Sequence, residues 1–283
     1  MKTRFLLLIL FITACIHSSQ GATVDSISVA SQAMKKDITC VVIKPGSYEQ
    51  PAGTQKRYPV LYLLHGYSGK YSNWIIRVPE LTEMADREEL IIVCPDGGYS
   101  GWYWDSPMDP SSQYETYIAK EVPTEIDRRY RTVTHRNGRA ITGLSMGGHG
   151  GIYLGFRHSD FFGACGSMSG AVDLSYSINK YEITKRIGDT VAHLKNWYTY
   201  SAIAAVDRTP EQPLSVIIDC GTEDHLIQGN RNLHQKMLER KIPHDYIERP
   251  GKHDWNYWRN AVTYQLLFFS RFFRQNLNNK KNQ

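Results

Sequence analysis

Short apolar runs alternate with polar, helix-periodic stretches along most of this chain, and the alternation predicts strands and helices in turn. Residues 58–64 (YPVLYLL) and 89–94 read as strands buried on both faces. Residues 139–144, 162–168, 214–220 and 244–248 read as further strands. Residues 24–30 and 37–43 read as two opening strands, paired as an antiparallel hairpin at the sheet edge. Helices are predicted over 81–89, 147–157, 229–241 and 255–274. Residues 114–130 are amphipathic, with Ile118, Val122, Ile126 and Tyr130 at helical spacing. Pro123 falls inside that stretch and predicts a break or a start there. Strands alternating with helices argue for an α/β fold, a mostly parallel central sheet flanked by helices.

The rhythm fails between residues 170 and 212, where Tyr176, Tyr181, Trp197 and Tyr198 mix with polar residues. One reading is a long surface excursion. The other, favoured because long insertions in compact domains are so often functional, is a partial lid over about 171–212 that shapes a pocket. At the N-terminus, Lys2 and Arg4 precede an apolar run over 5–12 that is too short to span a bilayer stably, the pattern of an export signal. Residues 19–21, before Ala22, make a small-residue cleavage site. Residues 12–15 (ITAC) instead resemble a bacterial lipoprotein box that would leave Cys15 lipidated. The expected organisation is a signal over 1–21, or a lipoprotein signal ending before Cys15, then one α/β domain over 22–283. The protein is expected to be exported: periplasmic, secreted or lipid-anchored at the cell envelope through Cys15.

The net charge of the 283-residue chain is +5, and its basic residues are scattered apart from a cluster at Lys280 and Lys281. There is no basic and aromatic stripe of the kind nucleic-acid binders carry, so that class is set aside. Cys40, Cys94, Cys165 and Cys220 lie in or beside apolar runs without C-x-x-C or zinc-like spacing. Export would permit disulfides among them, but buried free thiols on neighbouring strands are the favoured reading. No cofactor and no metal is expected.

The chemistry concentrates at Ser145. The strand 139–144 runs into Gly143-Leu144-Ser145-Met146-Gly147, and a helix follows. G-x-S-x-G in strand–turn–helix context is a nucleophile elbow, which places the serine hydroxyl at the N-terminus of a helix. The pentapeptide alone is a weak signal. Its weight comes from order, because such a serine needs an oxyanion loop before it, an acid after it and a histidine last. The strand over 58–64 ends in His65-Gly66-Tyr67-Ser68-Gly69, which offers the Tyr67 N–H as one oxyanion donor. The Met146 N–H is the other, and His65 reads as a structural residue holding the loop. The strand over 214–220 ends in Gly221-Thr222-Glu223-Asp224-His225, where Asp219, Glu223 and Asp224 compete as the acid. Asp219 falls within the strand and Glu223 faces outward, which favours Asp224. Of the ten histidines, His253 sits in a loop between the last strand and the last helix, after both serine and acid. His149 and His225 read as pocket-rim or structural residues.

These segments, HGYSG, DGGYSGWYWDSP, GLSMGGHGG, CGTEDHL and PGKHDWNYW, together resemble the putative-esterase (esterase D-like) family of α/β-hydrolases. That family includes tributyrin-type acetylesterases, S-formylglutathione hydrolases, feruloyl and acetyl-xylan esterases, and mycolyltransferases. The resemblance covers nearly all of the chain after its N-terminal signal. It implies an α/β-hydrolase fold and a metal-free serine esterase using Ser145, His253 and Asp224, nearest to the exported small-acyl and feruloyl enzymes. The S-formylglutathione substrate fits less well, being cytosolic where this chain is expected to be exported.

Aromatic residues bear on the substrate. Trp102, Tyr103 and Trp104 follow the Gly-rich end of the strand over 89–94, and an exposed aromatic loop there would stack on sugar rings or phenolic acyl groups. Trp102 and Trp104 are therefore expected to wall the pocket, with Asp105 hydrogen-bonding a sugar hydroxyl. Trp255 is a further expected substrate contact, although core packing alone would account for both Trp255 and Trp258. The expected activity is hydrolysis of small acyl or hydroxycinnamoyl esters, either small soluble molecules or plant polysaccharides. Two rivals stand beside it: an acyltransferase on the same triad, and a carbohydrate-binding protein on an inactive hydrolase fold.

Overall fold

The computed structural model describes residues 21–50, 55–208, 210 and 212–278. Residues 1–20 of the expected 1–21 signal, Cys15 included, and the basic cluster at Lys280 and Lys281 lie outside the described residues. Eight strands form one sheet: β1 (Thr23–Ser31), β2 (Lys36–Lys44), β3 (Val60–Leu64), β4 (Ile91–Pro95), β5 (Arg139–Gly143), β6 (Ala164–Met168), β7 (Ser215–Gly221) and β8 (Asp245–Arg249). Their spatial order is β1-β2-β4-β3-β5-β6-β7-β8. β1 and β2 form the antiparallel edge hairpin, and β2 also runs antiparallel to β4. The remaining pairs are parallel. This is an α/β fold of α/β-hydrolase type, as the resemblance implies.

The period-2 geometry of a strand explains why β3 reads as uninterrupted apolar sequence. Its Val60, Tyr62 and Leu64 enter one core, with Val93, Ile141, Ile152 and Ile218. Its Leu61 and Leu63 enter a second core across the sheet, with Ile92, Ala140, Leu266 and Phe269 of the closing helix Trp255–Asn278. All five β3 residues are buried because helices cover both faces. Cys40, Cys94, Cys165 and Cys220 are buried and free.

The amphipathic stretch after residue 113 is helical without interruption over Tyr114–Thr116, Tyr117–Glu121 and Val122–Arg129. Pro123 does not break the run but sits in the first turn of the α-helix Val122–Arg129, the start that the sequence allows. The turn Tyr117–Glu121 is a π-helix, and the wider turn accommodates a residue that has no N–H and would otherwise clash with the preceding turn.

The parallel strands all point their C-terminal ends the same way. The loops after β3, β5, β7 and β8 therefore gather at one edge of the sheet, the place where open α/β sheets bind ligands. The segment after β6 folds into short helices, among them Ile183–Ile187, Leu194–Thr199 and Ala202–Ala205. It is anchored beside the elbow, since Ala171 N–H donates to the Ser145 carbonyl at 3.2 Å.

Candidate active site

The elbow is a strained turn that its surroundings hold in place. Ser145 has φ 54° and ψ −114°, which costs a non-glycine residue on the order of 1–3 kcal/mol. Its N–H donates to the Met168 carbonyl at 3.0 Å, and its own carbonyl accepts from His149 N–H at 3.0 Å. The flanking glycines are a steric requirement. A Cβ on Gly143 would lie 2.5 Å from the Leu64 carbonyl oxygen, and one on Gly147 would lie 2.6 Å from the same atom. Strand, oxyanion loop and helix can approach this closely only without those side chains.

The structure brings Ser145, His253 and Asp224 together. Ser145 Oγ lies 3.0 Å from His253 Nε2, and His253 Nδ1 lies 2.8 Å from Asp224 Oδ2. Asp224 is only 2 % exposed, and its second oxygen accepts from Leu226 N–H at 2.8 Å. Burial pushes the Asp224 carboxyl up, but the hydrogen bond and charge of His253 and the Leu226 amide outweigh it and hold it below its ordinary value. The two rival acids are engaged elsewhere. Asp219 is buried, paired with Arg249 and hydrogen-bonded by Tyr257 Oη. Glu223 is exposed, its carboxylate 3.9 Å from Lys252 Nζ.

The two expected oxyanion donors flank the serine. Met146 opens the helix Met146–Arg157, so its N–H has no intrahelical acceptor. Tyr67 N–H has no main-chain acceptor among the described residues. A Cβ on Gly66 would meet Ser145 Cβ at 3.4 Å, which puts the oxyanion loop in contact with the nucleophile. His65 fixes that loop. Its Nδ1–H donates to the Gly66 carbonyl at 2.8 Å, and its Nε2 accepts from Gly97 N–H at 2.7 Å. Burial keeps His65 below its ordinary pKa and therefore neutral.

Above Ser145 lies a cleft of about 410 Å³ lined by Gly66, Tyr67, Asn73, Arg77, Tyr181, His253, Trp255 and Trp258, among others. Trp255 is half-buried in that wall and meets Trp74 edge-on at 5.3 Å. Trp258 also lines it and packs edge-on against His253 at 4.9 Å.

The Gly-Trp-Tyr-Trp loop is not an exposed wall, and here the expectation is corrected. Trp102 and Trp104 are fully buried, stacked on each other at 5.2 Å, with His149 edge-on to both. Neither lines the cleft. Asp105 is likewise not directed at a ligand, because its carboxylate accepts from Thr116 N–H at 2.9 Å and Thr116 Oγ1 at 2.6 Å. It ties the loop to the first turn of the helix that follows.

Asn73 and Arg77 were missed, and Tyr181 was foreseen only as one aromatic of the lid-like segment. Asn73 and Arg77 belong to a single helical turn directly after the HGYSG loop, a position that could have flagged them. Tyr181 lies in the irregular segment, where no local pattern points inward. His149 is buried, with its Nε2 accepting from Ala202 N–H at 3.1 Å. His225 lies beside the relay: its ring is 4.6 Å from that of His253, and its Nδ1 is 3.6 Å from Asp224 Oδ1. No metal-ligand spacing exists along the chain, yet folding places ligand atoms of Asp224, His225 and His253 within 4.8 Å of one another.

Comparison with known proteins agrees with this geometry. The family model described as "Putative esterase" matches residues 31–269. An acetyl esterase of Caldicellulosiruptor saccharolyticus is 26% identical over 265 residues, covering 87% of this chain and 97% of that protein. The diacylglycerol acyltransferase/mycolyltransferase Ag85A of Mycobacterium tuberculosis is 26% identical over 285 residues, covering 87% of this chain and 80% of its own length. A solved ferulic acid esterase is 30% identical and superposes with a TM-score of 0.77 over 90% of this chain and 99% of its own.

Proposed function

This chain belongs to the "Putative esterase" family and is a serine carboxylic ester hydrolase, and on that premise we propose that Ser145, His253 and Asp224 are its catalytic triad. The single observation that carries the assignment is the relay of hydrogen bonds from Ser145 Oγ through His253 to buried Asp224. In the neutral tautomer His253 donates Nδ1–H to Asp224 and presents an unprotonated Nε2 to the serine hydroxyl. Ser145 attacks the ester carbonyl while Nε2 takes its proton. The tetrahedral oxyanion is held by the N–H groups of Tyr67 and Met146, each contributing about 3 kcal/mol of transition-state stabilisation. Collapse expels the alcohol, which takes the proton from His253. Water, deprotonated by the same nitrogen, then releases the acid from the acyl-enzyme.

The substrates are small acyl or hydroxycinnamoyl esters, free or on plant polysaccharides, and the enzyme acts outside the cytosol. The size of the cleft and its aromatic wall of Tyr67, Tyr181 and Trp255 support this reading. So do the acetyl and ferulic acid esterases among its relatives. The similarity to a mycolyltransferase favours one second reading, transfer of the acyl group to a sugar hydroxyl instead of water. Purified protein assayed on acetyl, butyryl and feruloyl esters, with and without a sugar acceptor, tests both. Free acid as the sole product supports hydrolysis, acylated sugar supports transfer, and no turnover of any ester overturns the substrate assignment.

A further inference from the structure

We propose that His225, Asp224 and His253 form an inhibitory binding site for Zn²⁺ or a similar imidazole-seeking divalent cation, a proposal that rests on the triad assigned above. The three side chains present their ligand atoms within 4.8 Å of one another. Zinc binds nitrogen and oxygen ligands at about 2.0–2.2 Å, so ligand atoms in a tetrahedral site lie roughly 3.3 Å apart. Two contacts, one to each oxygen of the Asp224 carboxylate, fall on either side of that value: His225 Nδ1 is 3.6 Å from Oδ1, and His253 Nδ1 is 2.8 Å from Oδ2.

A second contact aims the histidine. Tyr181 Oη lies 3.2 Å from His225 Nε2. Metal-ligating histidines are characteristically oriented by a hydrogen bond on the nitrogen that does not bind the metal, and that bond leaves Nδ1 facing the Asp224 carboxylate. The His225 side chain is exposed, which gives the cation a way in.

The chemistry of inhibition follows from the tautomer. A cation on His253 Nδ1 displaces the proton that this nitrogen shares with Asp224. In the neutral imidazole the proton then resides on Nε2, so the nitrogen facing Ser145 becomes a donor and cannot accept the serine proton. No bond to substrate is made or broken, and chelation reverses the effect. Hard cations such as Mg²⁺ prefer an all-oxygen set and have no such hold.

The test is hydrolysis of p-nitrophenyl acetate by the full protein in non-chelating buffer, titrated with ZnCl₂ and separately with MgCl₂. Wild-type enzyme should be inhibited by micromolar Zn²⁺ and not by Mg²⁺, with EDTA restoring the rate. His225→Phe keeps a ring against His253 but offers no ligand. Relative to its own metal-free rate, it should need on the order of ten- to a hundredfold more Zn²⁺ for the same inhibition. Competition against a chromogenic chelator should count one zinc bound per wild-type chain with that affinity and none in the variant. His234→Phe is the control, because His234 and His244 face each other at 2.7 Å elsewhere on the surface. Unchanged zinc sensitivity in His225→Phe, or relief by His234→Phe instead, overturns the site. Wild-type enzyme that hydrolyses the ester and takes a fluorophosphonate label on Ser145, yet ignores Zn²⁺, overturns the metal site alone. Enzyme whose Ser145 takes no label overturns the triad beneath it.

Discussion

The indole N–H of Trp102 donates a 3.0 Å hydrogen bond to the main-chain carbonyl of Tyr181. Both residues have positive φ, 55° and 53°, so each sits in a backbone region that costs a bulky side chain energy unless neighbours hold it. The bond joins the Gly-Trp-Tyr-Trp loop to the irregular segment after β6. Ser100 Oγ adds a 2.7 Å bond to Glu182 in the same place. Tyr181 is thereby held over the cleft, its ring 5.4 Å from Tyr67 on the oxyanion loop. Trp102 thus reaches the substrate site through Tyr181.

Ser145→Ala should abolish esterase activity, with a loss of about 10³-fold or more and no change of fold, because a nucleophile and its base act as a unit. Activity within tenfold of wild type would exclude Ser145 as the nucleophile. Mass spectrometry after fluorophosphonate treatment should find the label on Ser145.

Asp224→Asn should lower kcat by about 10⁴-fold by favouring the wrong His253 tautomer. Glu223→Gln should leave kcat nearly unchanged, since that side chain is exposed. Asp219→Asn should act on stability, lowering the melting temperature by breaking up the buried group of Asp219, Arg249 and Tyr257. Steady-state kinetics and melting curves on the three variants separate the roles, and a kcat collapse confined to Glu223→Gln would reassign the acid.

Trp104→Ala should behave as a core deletion. The lost packing is worth about 3–5 kcal/mol, or a fall in melting temperature on the order of 10 °C, with similar losses on every ester. Tyr181→Ala should do the reverse, changing the ratio of kcat/KM for feruloyl over acetyl esters by roughly tenfold with a small effect on melting. Both quantities measured on both variants decide the matter, and a substrate-selective Trp104→Ala enzyme would contradict its burial.

Acid should destabilise the fold through His149, whose pKa burial pushes down to about 3. An unfolded histidine protonates near pH ~6.5. Between those values the unfolded chain binds a proton that the folded one does not. Stability is therefore full above pH ~6.5 and declines as pH falls toward 3, by on the order of a few kcal/mol. Melting temperature followed from pH 7 to pH 4 should fall less steeply in His149→Phe than in wild type. Parallel slopes would show that another group carries the acid sensitivity.

Much of this protein is written in short-range sequence. The β3 run is apolar at every position because both faces of a central parallel strand are covered. Gly143 and Gly147 stand where a Cβ would strike the Leu64 carbonyl, so the elbow declares itself within five residues. The order of oxyanion loop, serine, acid and histidine follows from strands whose C-terminal ends share one edge. What tertiary structure decided is which side chains meet water and which meet each other. Trp102 and Trp104 look like a loop's exposed aromatics, yet His149 and the segment after β6 close over them, and burial depends on covering chain that no local pattern reports. Asp105 looks free for a sugar until the helix starting nearby brings Thr116 onto both of its oxygens. Asp219 and Asp224 lie five residues apart, and the choice between them turns on Arg249, Tyr257 and His253, which arrive from β8, the closing helix and the loop between the two. Tyr181 and the cluster of Asp224, His225 and His253 arise the same way. Asp224 and His225 are neighbours in the chain, but His253 reaches Asp224 across 29 residues and Tyr181 reaches His225 across 44, and only the packed sheet edge sets those distances.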